Sequence, residues 1–143
     1  MRIDIQRNKQ AKSLVTTMIV IALASLILRF AIEKIMQINI AQNESNASSG
    51  LKLIVTALEN YAQANQGVFP ENLSLLTQAS PPYLNKDYSL QTVIKGYIYS
   101  CSRLDSTGYS CSALPAKCGL SGRSAYTITT GGALIGEDCR KQE

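Results

Sequence analysis

With 143 residues the chain has room for one small domain and little more, since domains usually take about 100 residues. It contains no histidine, so the usual general base is missing, and the single lysines, scattered carboxylates and many Ser and Thr have no evident activating partner; an enzyme is not expected. Of the formal charge of +4, Arg2, Arg7, Lys9 and Lys12 against Asp4 place +3 in the first twelve residues, which signals membrane orientation rather than nucleic-acid binding.

Residues 1–11, MRIDIQRNKQA, read as a basic cytoplasmic leader that needs no fold of its own. A helix is predicted over 12–65. Its segment 14–32, LVTTMIVIALASLILRFAI, is apolar except for Arg29 near its end, where a long cationic side chain can reach the headgroups. A retained membrane helix, a cleaved secretory signal and a buried core helix all pass this test. The length of the run and its unbroken passage into further helix favour the first.

Beyond the span, Leu51, Ile54, Val55, Leu58, Tyr61 and Ala62 recur at three- and four-residue spacing, the stripe of an amphipathic helix that needs a packing partner. Asn46 to Gly50 combines residues that disfavour helix interiors, so a bend or fraying point is expected there. Gln66-Gly67 supplies a stop, with Gly67 suited to a left-handed cap, and Pro70 prevents resumption. Residues 66–143 are predicted to form a globular head, beginning with a short helix at 71–78.

From Gly96 the period changes to two. Tyr97–Cys101 and Tyr109–Ala113 alternate around a turn cluster near Ser106, Ala125–Thr129 follows, and Ala133–Ile135 can return as a fourth strand. The expected class is therefore α+β: a long N-terminal helix packed on a small antiparallel sheet of three or four strands. Gly131-Gly132 reads as a hairpin turn, because the Lys-Ser/Thr of a phosphate loop is absent. Tyr97, Tyr99, Tyr109 and Tyr126 suit sheet packing better than an exposed binding surface.

All four cysteines follow the apolar span, which suits disulfides in an oxidising compartment. No Cys-x-x-Cys pair occurs, so a zinc site is not expected. Three connectivities are possible. A hairpin centred near Ser106 sets Cys101 opposite Cys111 and leaves Cys118 for Cys139.

Taken together, the apolar helix at 14–32, Asn43-Glu44 leading to Leu51-Lys52, the stretch ALENYAQANQGVFPENLSLL at 57–76 and the late GYIYSC and YTITTGG segments resemble type IV pilin-like proteins. The nearest likeness is to the major pseudopilins of type II secretion. The resemblance implies a structural subunit that assembles through its N-terminal helix into a pilus-like or pseudopilus filament. Its implied partners are copies of itself, other pilin-like subunits, a prepilin peptidase, an inner-membrane assembly platform and membrane lipid, without nucleic acid. It implies cleavage between Ala11 and Lys12 with methylation of the new N-terminus, a single pass through a bacterial inner membrane, and a head in the periplasm or on an extracellular filament. Ala11 stands where the family carries glycine, Thr16 where it carries glutamate, and Glu33 where a proline kinks the helix, so a divergent or minor subunit fits best. No cofactor is expected. The resemblance allows calcium at Glu137 and Asp138, although adjacent carboxylates in a polar loop are more often solvated. The other reading is a non-polymerising, membrane-anchored periplasmic binding module of pilin-like shape.

Overall fold

Once one helical turn exists, each further residue adds a backbone hydrogen bond for little cost, and Arg, Gln, Lys and Ala propagate helix well. In the computed structural model, which describes residues 3–88 and 92–141 with side chains described from Ser13, helix α1 accordingly runs Ile3–Ala64. It thus begins inside the segment expected to be an unstructured leader. The chain divides into two compact units, Met1–Ile38 and Asn39–Glu143. In the first, large apolar side chains from Leu14 to Ile38 are 41–71 % exposed.

In the second unit the predicted stripe is the buried one: Leu51, Ile54 and Leu58 are fully enclosed, joined by Ala47, Val55 and Ala62. No break occurs at Asn46–Gly50, contrary to expectation. The reason lies in packing. Ala47 is fully buried, and a Cβ added at Gly50 would stand 2.6 Å from the Tyr99 hydroxyl, so the small residues admit the sheet to the helix surface. Burying a tyrosine outweighs the roughly 1 kcal/mol that a helical glycine costs.

At the end of α1 two successive residues are left-handed, Gln66 (φ 57°) and Gly67 (φ 86°), and the Gly67 N–H bonds back to Ala62 O at 2.7 Å. This is a Schellman closure with Gln66, rather than Gly67, in the first left-handed place. The short helix α2 (Ser74–Gln78) starts three residues later than predicted, because the Asn72 side chain accepts the Ser74 N–H at 3.0 Å and holds 72–74 as a turn.

The sheet is an antiparallel meander of five strands in chain order: β1 (Val93–Ile94), β2 (Tyr97–Asp105), β3 (Gly108–Pro115), β4 (Ser124–Thr129) and β5 (Leu134–Asp138). One more strand is present than predicted. Two residues are too few to show a period, and β1 is held instead by a tight turn whose Lys95 (φ 49°) and Gly96 (φ 81°) are both left-handed, the type I′ geometry that matches strand twist. Between β2 and β3, Asp105 Oδ1 accepts the Thr107 and Gly108 N–H groups at 2.8 and 3.1 Å. The register shifts between Cys101 and Arg103, so Ser102 forms a bulge. That one extra residue is what sets Cys101 across from Cys111, with Cα atoms 3.9 Å apart and the sulfurs bonded. The second disulfide joins Cys118, before β4, to Cys139, in a 3-10 turn after β5.

Candidate functional site

Two features distinguish the described residues: an apolar helical segment whose side chains are exposed, and a polar seam that fixes the sheet to its helix. The first is α1 over residues 13–38. Its apolar side chains point in every direction around the helix, and it is long and apolar enough to cross a membrane. Two of its hydroxyl side chains bond locally, Thr17 to Ser13 O and Ser25 to Ala22 O, both at 2.8 Å. Such internal bonds remove the cost of carrying a hydroxyl into hydrocarbon. Arg29 and Glu33 lie one turn apart beside a hollow lined by Leu26 and Phe30.

The seam lies on α1 between residues 43 and 59. Glu44 Oε1 accepts the backbone N–H groups of Arg123 and Ser124 at 2.8 and 3.2 Å, and the Asn43 amide donates to Ser121 O at 3.0 Å. Farther along, the Tyr99 hydroxyl donates to Asn46 O at 3.4 Å and the Tyr109 hydroxyl to Glu59 Oε1 at 2.8 Å. Tyr97, itself fully buried, donates to Ser124 O at 2.8 Å. These three tyrosines are therefore core residues with satisfied hydroxyls, and Tyr126, half-buried, packs at a tilt on Tyr97.

Burial holds all three phenols in their neutral form to higher pH than usual. Tyr99 is pushed up to about 12 by burial and by neighbouring Tyr88, Tyr97 higher by burial and the Glu44 carboxylate, and Tyr109 higher by burial and its bond to Glu59. A phenol whose folded pKa exceeds its unfolded value of about 10 stabilises the fold fully below that value, and the stabilisation is lost as pH rises through the folded value. Alkaline titration should therefore show delayed tyrosinate absorbance for three of the seven tyrosines, appearing together with loss of near-ultraviolet dichroism. Ionisation of all seven by about pH 11 with dichroism intact would contradict this. Tyr109→Phe, which strips Glu59 of its donor, is expected to cost about 1–2 kcal/mol in chemical unfolding, and an unchanged midpoint would count against the bond.

The remaining predicted residues are placed as follows. Ala11 and Lys12 lie within the α1 backbone, and their side chains fall outside the described residues. Glu137 and Asp138 are neighbours on β5 and both exposed; successive strand side chains point to opposite faces, so the two do not converge on one point. Asp138 Oδ1 instead accepts the Arg140 N–H at 3.0 Å and faces its guanidinium at 3.6 Å. Asp105 is taken up by its own turn, and its bonds to Arg103 and Thr107 hold the carboxyl well below the usual range. Cys118, Asp138 and Cys139 come close together, but both sulfurs belong to the disulfide and offer no thiolate.

Sequence reasoning did not find the roles of Asn43 and Glu44. A helical Asn-Glu pair carries no local sign of the loop it will hold, since the partners lie about eighty residues on. Comparison with known families, with curated proteins and with solved structures yields no match to this chain.

Proposed function

We propose that this chain is a structural subunit of a filament of the type IV pilus or type II secretion pseudopilus kind, inserted in a bacterial inner membrane through α1 and assembling with copies of itself and with related subunits. The observation that carries the reading is the uncovered apolar helix of residues 13–38, continuous in secondary structure with a helix whose later face is the floor of a folded head. A helix apolar all round is stable only where lipid or other helices surround it. The order of a membrane helix, a helix-backed meander and disulfides on the exported side supports the same reading, as does the basic N-terminus, which directs the head out of the cytoplasm. In this reading a prepilin peptidase cuts between Ala11 and Lys12, the new amine is methylated, and an assembly platform stacks the helices side by side.

The test is intact mass and N-terminal sequencing of the protein from its native membrane with a prepilin peptidase coexpressed, together with sedimentation in mild detergent. A methylated chain beginning at Lys12 and sedimenting as polymer supports the filament. A chain beginning at Met1 that remains one per micelle supports the second reading, a permanently anchored periplasmic binding module. Thr16 favours that second reading, because a glutamate at this position is the family's docking carboxylate. A chain beginning after Ala22 or Ala31 overturns both, since the apolar segment is then a secretory signal.

A further inference from the structure

We infer that Arg29 of one copy of this chain pairs with Glu33 of a neighbouring copy displaced by one helical turn, so that the face carrying Ala22, Ser25, Arg29 and Glu33 is a copy-to-copy contact. The inference rests on the filament reading above and deepens it.

The two charges are the first to interrupt the apolar run, stand four residues apart on one face, and are both exposed. Among the described residues the ion pairs formed are Arg103–Asp105 and Arg140–Asp138, and neither Arg29 nor Glu33 takes part in one. Pairing within one helix is also the weaker choice, since an acid placed after its base opposes the helix dipole. An unpaired charge in or near hydrocarbon is costly, so each side chain gains from an opposite charge on a neighbour.

The geometry of that neighbour follows from topology. Every copy carries the same basic N-terminus, so copies insert parallel. At equal height, parallel copies set Arg29 beside Arg29 and Glu33 beside Glu33. A displacement of four residues, about 6 Å at 1.5 Å per residue, brings Arg29 level with Glu33. Ala22 and Ser25 share this face by their three- and four-residue spacing and let a second backbone come close. The Ser25 hydroxyl brings no unmet demand, being bonded to Ala22 O. The apolar Leu26 and Phe30 beside the charges form a hollow into which a neighbouring side chain can enter. A contact that shifts each copy in the same direction is head-to-tail and does not close, which yields an open filament rather than a dimer.

All four native cysteines are bridged, so one introduced cysteine is the chain's single thiol. Full-length Leu26→Cys and Phe30→Cys chains, coexpressed and oxidised in native membranes, should give the 26-to-30 cross-link in about fivefold excess over either symmetric one, because a disulfide tolerates little extra separation. Adding Glu33→Arg to both chains should lower that cross-link about tenfold, and the double exchange Arg29→Glu with Glu33→Arg should restore it. Symmetric cross-links in excess, or a cross-link indifferent to Glu33→Arg, overturn the pairing while polymer in mild detergent leaves the filament standing; Arg29 then meets a lipid phosphate or another protein. Wild-type chains that neither cross-link nor sediment as polymer overturn the filament reading and the pairing with it.

Discussion

Gly122→Ala is expected to destabilise the Asn39–Glu143 unit by about 3 kcal/mol, seen as a fall of about 10–20 °C in its thermal midpoint when the full chain is melted in detergent and followed by tyrosine dichroism. A Cβ at this position would overlap the Tyr97 hydroxyl and ring. Neither side can yield easily. Tyr97 is fully buried and bonded to Ser124 O, while the Gly122 carbonyl accepts the Gly119 N–H at 2.7 Å beside the Cys118 bridge. Tyr97→Phe removes the nearest atom, so the combined variant should lose less than the sum of the two single losses. A wild-type midpoint for Gly122→Ala would show that the loop is free to shift and would sink the account.

Loss of the Cys118–Cys139 bridge in Cys118→Ser/Cys139→Ser should cost about 3 kcal/mol, as expected for a closed span of 21 residues. The bridge ties the last strand to the loop that Glu44 and Asn43 hold against α1. Removing it adds freedom to both ends of β4 and β5 in the unfolded chain. The Cys101–Cys111 bridge closes only 10 residues, already matched by hairpin hydrogen bonds, so its removal should cost less. Reduction of both bridges should flatten near-ultraviolet dichroism while far-ultraviolet helix signal persists, because α1 carries no cysteine. Unchanged near-ultraviolet dichroism after reduction would rule this out.

The α+β class, the long helix, the stripe from Leu51 to Ala62 and four of the five strands were legible because each rests on a short window of sequence, a period or a turn signal. Other features depend on partners distant in sequence. Asn46 to Gly50 looks like a weak helix locally, and only Tyr99, 49 residues beyond Gly50 and lying against it, explains why smallness is needed there. Strand β1 is too short for any period, and its signal was the Lys95-Gly96 turn rather than its own residues. The bulge at Ser102 leaves no local mark, although the turn centred near Ser106 already suggested the Cys101–Cys111 contact. At the candidate site, the apolar segment and its two charges could be read directly. The bonds of Glu44 and Asn43 to the 121–124 loop could not, since they join a helix to a loop through backbone groups that every residue possesses.

The two closed spans also govern how the molecule responds to tension. When a chain is pulled from its ends, residues between bonded cysteines cannot lengthen it. At about 3.4 Å per extended residue, the spans of 10 and 21 residues withhold about 34 Å and about 71 Å of contour. Strands β4 and β5 both lie inside the larger span, so a load entering through α1 and leaving at the C-terminus bypasses them covalently. A stretched chain would yield first between α1 and β2, and its last two strands would be the part that survives to refold around.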